Sequence, residues 1–582
     1  MPEHAATHAL PSLDLPRDRF VAVVVDDLEK VFPKRDPRPF DAGVPLTGFT
    51  GERIGLQVAV RIPLTAHLSM DELELTVRCP GAAVALHRVG LVPADMPIFP
   101  EHDENYLDDV PGLYPDLLEP LPQGSGVGEV TARLDLRSPG WNSTWIDLTL
   151  AEESSEVELT VTRRGRQWGS DELDDPETLL TQVLPIEVTG AEAPPTPIRH
   201  IAWLHADSLS TYHDVPVWSE PHWRALEAHI ASAAEMGVTA VLTPVWTPAL
   251  DTAVGTYRPN VQLLGIWHDE DGYQFNTDLL DRHLGILAAH GIREVEIAHL
   301  FTQWGARQTP QIWVDTPSGP EMRFGWHVDA TDPAYREFLA EAIPFLRAHL
   351  EPTWGVENVL WHISDEPSQQ HLDAYRAARA VVADLLEGAV VIDALSSPDF
   401  VDVVDHPIVA TDHVHAFLER GLEVPCVYYC VSQNRAVSNR FIAQPAVGHR
   451  HLAAQMFVQG ADTFLHWGYD FYWAQHATRP IDPYRETSAG GRFPSGDPFT
   501  VYPGPDGSCL PSLRHRVLAT MTADARVMAW AAELAGREAV VAIIDPEGDF
   551  AGERGYEAAW PDPVDYRRRR LELDRLVRAR LG

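Results

Sequence analysis

HWRALEAHIASAAEMGVTAVLTPVW, residues 222–246, holds one helix, one stop and one strand, and its reading decides the fold. Trp223, Leu226, Ile230 and Ala233 recur at helical spacing, and Gly237 follows the last turn as a C-terminal cap should. The β-branched run VTAVLTPVW then reads as a strand buried on both faces. Read outward from here, the same unit recurs. RHIAWLHA (199–206) precedes it; REVEIAHLF (293–301), ENVLWHIS (357–364), AVVIDALS (389–396), HPIVATDHV (406–414), VPCVYYCVS (424–432) and DTFLHWGYDF (462–471) follow. Helical stretches lie between most of them, among them DPAYREFLAEAIPFLRAHL with its Asp332 cap and Pro333 in the first turn. Eight alternations over about 300 residues are what an α/β fold of the (β/α)8 barrel type requires. A doubly wound sheet is the rival, but no Gly-rich phosphate turn follows the first strand.

The flanks read differently. From about residue 20 to 190, short strand-like runs recur between turns: RFVAVVV, RIGLQVAVRI, LELTVRC, EVTARLDL, TWIDLTL and EVELTVTRR. In the last, Val157, Leu159 and Val161 share one face, and the whole suggests an N-terminal β-sandwich over 1–189. The acidic runs EHDENYLDDVPGLYPDLLEP (101–120) and SDELDDPE (170–177) read as solvated loops, since neither has EF-hand spacing. GAEAPPTP (190–197) is a stiff linker. The barrel then spans 198–545, and 546–582 forms C-terminal helices expected to pack on it, the basic YRRRRLELDRLVRARL presenting a solvated arginine face. Long loops follow the second, third and eighth strands (247–275, 302–332, 471–510). These are strand-to-helix connections, the end at which such barrels build their sites. Two of them contain apparent hairpins, VQLLGIWHDEDGYQFN and QIWVDTPSGPEMRFGW.

Composition excludes several functions. The chain of 582 residues carries 45 Lys+Arg against 85 Asp+Glu, a formal charge of −40. Phosphate backbones and anionic lipid both draw their affinity from basic residues, so neither nucleic acid nor a membrane surface is an expected partner. The opening MPEHAATHAL lacks the basic start and apolar run of a signal peptide, which points to the cytoplasm. Four cysteines are too few and too scattered for a disulfide framework. Cys426 and Cys430 stand about 13 Å apart along a strand and read as buried free thiols.

The chemistry concentrates at WHISDEP (361–367), the end of the fourth strand. Adjacent strand residues point to opposite faces, but at a fraying strand end the chain curls and Asp365 and Glu366 both reach one pocket. Pro367 is expected to hold Glu366 extended. Two close carboxylates repel, which raises one pKa and keeps a proton available near neutrality, as cleavage of a glycosidic bond requires. The competing reading makes Ser-Asp-Glu-Pro the cap and first turn of the next helix.

WHISDEP, together with FLHWGYDFY (464–472) and FPSGDPFTVYPGPDG (493–507), resembles the catalytic domain of glycoside hydrolase family 123 over roughly residues 200–545. The resemblance implies a retaining exo-β-N-acetylgalactosaminidase on a barrel preceded by a sandwich. It also implies that Asp365 positions the substrate acetamido group and Glu366 is the acid/base. Position 470 departs from the family pattern, where Asn is commoner than Asp. The residues allow one independent check. A retaining barrel enzyme that uses two carboxylates usually places its nucleophile at the end of strand seven, yet VPCVYYCVSQN offers no acid there and Glu423 lies at the wrong end. The nucleophile must come from elsewhere or from the substrate's own acetamido oxygen. Asp470 or Asp412 as nucleophile or base is the alternative, and would admit a sugar with no acetamido group.

Other strand ends offer sugar-binding groups. Trp246, Trp304 and Trp467 suit pyranose faces; His205, Asp207, His299, Asp412, Tyr469 and Asp470 suit hydroxyls; Tyr428 or Tyr429 suits the acetamido oxygen. DHVH (412–415) and HRH (449–451) invite a metal, but the second lies in a helix, where i and i+2 diverge, so no metal or cofactor is expected. The expected partner is a neutral oligosaccharide or glycoconjugate, because a strongly negative field disfavours sulfated and sialylated glycans. A catalytically dead carbohydrate-binding barrel is the remaining alternative, and the intact carboxylate pair argues against it.

Overall fold

The computed structural model describes residues 18–63, 71–137, 139–166, 169 and 172–582, so the N-terminal decamer and the start of the second acidic run lie outside the described residues. Two compact units emerge. One comprises the described parts of Met1–Leu91, Pro115–Ala193 and Pro561–Gly582, the other Val92–Tyr114 and Pro194–Trp560.

The first unit is a sheet folded over one main core with smaller apolar clusters beside it. Its long strand Glu72–Ala94 pairs with Glu156–Arg164 through residues 72–78 and with Gly140–Thr149 through 83–88. The change of partner falls at Pro80-Gly81, where proline removes a ladder donor. Leu75 and Val77 before this corner join Val84 and Leu86 after it in one apolar cluster with Leu56, Val58, Ile146, Leu148, Val157, Leu159 and Val161. Alternation along each strand thus builds a sandwich core.

Two expectations about this region need correction. The acidic run 101–120 is not all loop: Gly112–Arg133 is a strand, and Val92–Tyr114 belongs with the barrel unit. There Asp103 Oδ2 accepts from Ala436 N (2.6 Å) and Glu101 pairs with Arg435 (2.8 Å), so acids that read as solvated surface brace the loop after strand seven. The C-terminal tail also divides. Residues up to Trp560 stay with the barrel, but the helix Pro563–Leu581 packs within the sandwich unit. Val564 and Leu571 cluster with Val44, and Arg570 and Arg567 reach the buried Glu52 and Asp26, each at 2.7 Å. Those arginines are paired rather than solvated, because the sandwich supplies buried carboxylates that sequence spacing cannot reveal.

In the second unit all eight expected strands form, as β1 (Arg199–Ala202), β2 (Ala240–Thr243), β3 (Glu294–Ile297), β4 (Val359–His362), β5 (Val390–Leu395), β6 (His406–Ala410), β7 (Cys426–Tyr428) and β8 (Thr463–His466). They are parallel in sequential order, and β8 closes on β1 with Thr463 opposite Arg199. Helices Glu220–Glu235, Asp278–Ala289, Pro333–Trp354, Leu372–Val382, Ala446–Gln459 and Leu513–Ala535 alternate with them, whereas β5 and β6 are followed only by short turns of helix. Gly237 takes φ +89°, and a Cβ there would lie 2.4 Å from Thr522 Cγ2, so the stop signal also fixes how the final helix approaches. The two hairpins form and join: Gly265–Asp269 lies parallel to Ile312–Thr316, giving one four-stranded sheet above the second and third strands. Among the described residues, no helix is long and apolar enough to cross a membrane.

Candidate active site

A cavity of about 220 Å³ opens at the carboxyl ends of the barrel strands. Asp365 and Glu366 just after β4 line it, with Trp203 after β1, Tyr428 from β7 and Cys430 just after it, and Trp467 after β8. Asp251, Gln303, Trp304, Gln475 and Phe493 come from the three long loops. Ser368 caps a short 3-10 turn, Gln369–His371, and His371 stands at the N-terminus of the helix Leu372–Val382 that follows, so the pair is free of the capping role that SDEP also suggested. Glu366 is not extended as Pro367 led us to expect; its φ is +41°. Such a conformation persists only when its surroundings hold it. Trp304 N donates to Asp365 O (3.0 Å), while the Tyr428 hydroxyl (2.8 Å) and Cys430 Sγ (3.3 Å) both donate to Glu366 Oε1. Among the described residues no hydrogen bond engages Oε2. Burial and the Glu366 charge hold the Asp365 carboxyl well above the usual carboxylate range. The adjacent pair therefore retains a proton where an isolated carboxylate would have lost it.

Beneath the pair lies a buried charge network that the sequence reading missed. His362 Nδ1 donates to Glu296 Oε1 (2.9 Å), and its Nε2 lies 2.7 Å from Asp393 Oδ1. Burial pulls this imidazole down, but Asp393 and Glu296 outweigh it and push the pKa up to about 10. Trp203 Nε1 donates to both Glu296 oxygens, and the Tyr375 hydroxyl to Asp393 Oδ2. That same Asp393 oxygen accepts from Ser364 N (3.3 Å), one residue before the pair. Charged residues in the middle of buried strands (EVEI, VLWH, VVIDAL) were the available signal, since an ion there must be paired or functional.

The motifs HWGYD and FPSGDPF build one wall. Trp467 Nε1 donates to Asp497 Oδ2 (3.2 Å), and the Phe493 ring meets Trp467 edge-on at 5.6 Å. A Cβ on Gly468 would stand 2.4 Å from Asp497 O, so only glycine lets the two segments approach this closely.

Of the expected substrate-binding residues, Trp304, Tyr428 and Trp467 reach the cavity. The others do not line it. Trp246 is core, its Nε1 bound to His299 O (2.9 Å). His299 stacks on His362 at 3.9 Å, and burial followed by the His362 charge keeps it neutral. Tyr429 faces away from Tyr428 and packs on Phe464 and His466, and Tyr469 is fully buried. His205, Asp207 and Asp470 form a closed cluster: His205 N donates to Asp470 Oδ1 (2.6 Å), and Asp207 lies 3.5 Å from Arg258 and accepts from Trp473 (2.9 Å). Asp412 stands one layer back, holding the Gln433 amide that in turn caps Cys430 N. Each of these lost the cavity because side-chain direction at a strand end depends on where the chain turns, which spacing does not encode. Asp251, Gln303, Gln475 and Phe493 were missed because loops carry no periodicity. Among the described residues no group of three or more His, Cys, Asp and Glu is placed to hold a metal ion.

An aromatic-walled cavity at the carboxyl end of a (β/α)8 barrel, with a proton-retaining acid pair in it, defines a glycoside hydrolase. The chain belongs to glycoside hydrolase family 123: the model of that family's catalytic domain matches residues 203–531. The fold is similar to that of a family 123 glycoside hydrolase from Clostridium perfringens, described for glycolipid glycan hydrolysis, with TM-score 0.64 and 12% identity over 96% of this chain and 98% of that one. The CBM22–GH10 modules of Clostridium thermocellum xylanase 10B (TM-score 0.27, 8% identity, 87% and 94% covered) and a family 5 glycoside hydrolase from Bacteroides vulgatus (0.27, 11%, 50% and 62%) are far more distant. No curated protein matches the chain.

Proposed function

We propose that this glycoside hydrolase removes a terminal β-linked N-acetylhexosamine, N-acetylgalactosamine favoured, by exo-acting, retaining, substrate-assisted catalysis. The observation that carries the reading is the adjacency of Asp365 and Glu366 at one strand end, with no carboxylate lining the cavity from β7. Neighbouring residues approach a sugar from the same side and are poorly placed to flank an anomeric carbon as nucleophile and acid do. The acetamido oxygen then attacks the anomeric carbon as the proton the pair retains, passed to Glu366 when Asp365 takes up the acetamido N–H, goes to the departing glycosidic oxygen. Asp365 accepts the acetamido N–H and balances the charge of the oxazolinium ion. Water opens that ion as Glu366 takes its proton, and two inversions give net retention. Tyr428 and Cys430 occupy Glu366 Oε1, leaving Oε2 to carry the proton. The cavity is smaller than a typical drug-sized pocket and suits one sugar residue, which supports exo action. The −40 charge supports a neutral glycan.

The test is release of nitrophenol from aryl 2-acetamido-2-deoxy-β-galactosides and glucosides, with inhibition by a thiazoline mimic of the oxazolinium ion. Turnover of plain hexosides alone would overturn the reading.

A further inference from the structure

Asp251, Gln303 and His476 come from the loops after β2, β3 and β8, and they lock to one another. Asp251 N donates to Gln303 Oε1, His476 N donates to Asp251 Oδ2 (3.0 Å), and Ala253 N donates to His476 O (2.9 Å). His476 also meets the Trp304 ring edge-on at 5.3 Å. Asp251, Trp304 and His476 take positive φ of 38°, 57° and 61°. Strained backbone held this firmly by its surroundings is characteristic of ligand clamps. Asp251 and Gln303 line the cavity from the loops after β2 and β3, with β3 the barrel neighbour of β4.

Among the described residues, two side-chain nitrogens of this knot make no hydrogen bond; His476 Nδ1 still has the Asp251 carboxylate at 3.4 Å, but Gln303 Nε2 has nothing. Gln303 is only 6% exposed and its Oε1 is spent on Asp251 N, yet its Nε2 makes no hydrogen bond. A buried unpaired amide donor in a cavity wall is an expensive feature for a fold to keep. Beside it is an acceptor: burial pushes the Asp251 carboxyl up to about 6, with His476 opposing, so it is mostly ionised at neutral pH. A sugar hydroxyl donates one hydrogen bond and accepts others, and a carboxylate next to an amide N–H satisfies both.

We propose that Asp251 and Gln303 are the specificity-determining residues for the terminal sugar, binding one ring hydroxyl with its hydrogen on the Asp251 carboxylate and its oxygen on Gln303 Nε2–H. The inference rests on the reading of this cavity as the terminal-sugar site. The substrate class is a neutral glycoside with a free hydroxyl at that position. Deoxy, O-methylated and O-sulfated sugars are refused there, the first because the polar pair is left unmatched, the last also because Asp251 repels it.

The test compares kcat/KM on an aryl N-acetylhexosaminide with its 3-, 4- and 6-deoxy analogues, for the wild type, Asp251→Asn and Gln303→Leu. The wild type is expected to lose at least about 100-fold on one analogue. Each variant should bring the parent substrate down to that analogue's level while changing the analogue itself by only a few-fold. Equal loss on every sugar would make the residues structural, or Asp251 a catalytic carboxylate, and overturns the inference. So does a wild type that accepts all three analogues. Asp251→Asn keeps an acceptor for His476 N, and thermal melting checks its fold; if it fails, Gln303→Leu carries the test. Should only plain hexosides be cleaved, the acetamido reading falls, while hydroxyl discrimination is still decided on the deoxy series of the hexoside.

Discussion

The barrel holds two buried acid clusters, one at the end of β4 and one at the end of β8, and they differ in what they touch. At β4, Asp365 and Glu366 meet the cavity and rest on the His362 imidazolium with its two carboxylate partners. At β8, Asp470 is fully buried where Asp365 and Glu366 are part-exposed, and burial pushes its carboxyl up to about 7, the range a catalytic acid needs. Yet its Oδ1 is tied to His205 N, and it does not line the cavity. Asp207, raised by burial, and His205, lowered to about 3 by burial and Arg258, complete a sealed cluster. A displaced pKa therefore marks desolvation in both places, and access to substrate distinguishes the site from the scaffold.

The comparison breaks most directly on Glu366→Gln. Its kcat on a substrate with a poor leaving group should fall by about 10²–10⁴-fold with thermal melting unchanged. If Asp470→Asn falls as far, the β8 cluster is catalytic and the distinction is wrong. His362→Gln comes next. It leaves Glu296 and Asp393 buried without their cation, at a cost of about 3–5 kcal/mol in a denaturant titration at pH 7.

That network also predicts a pH dependence. The His362 pKa rises from 6.5 to about 10 on folding, so its contribution is complete below pH 6.5 and is lost as pH climbs through 10. The denaturation midpoint of the wild type should decline across that window, and the decline should flatten in His362→Gln. Asp470→Asn weakens one charge-assisted bond to a backbone N–H and should cost about 1–3 kcal/mol, with turnover within a few-fold of wild type. Trp246→Phe, which removes one hydrogen bond to His299 O, should cost about 0.5–1.5 kcal/mol and leave KM unchanged.

Much of this arrangement was legible in the chain. The eight strands, their order and the active end of the barrel follow from local signals: β-branched runs, helical spacing, the Asp332 cap, the Gly237 stop and the lengths of the connections. Those signals act over a few residues and need no partner. SDEP stood out because neighbouring acids at a strand end are hard to explain structurally. Which side chains of the loops after β2, β3 and β8 turn into the cavity was not legible. Phe493 and Asp497 were visible as a motif, but not that one walls the cavity and the other holds Trp467.

The sequence by itself determined the barrel, the sandwich before it and the position of the acid pair, because each is written in spacing along one segment. Tertiary structure alone decided that the final helix joins the sandwich, that two hairpins form one sheet, and that Asp470 and Trp246 are sealed while Asp251 and Gln303 line the cavity. It also decided that Glu366 adopts a left-handed backbone. Each of these depends on which distant carboxylate, amide or apolar surface meets a residue after folding, and pairing energy between segments hundreds of residues apart leaves no period in the chain.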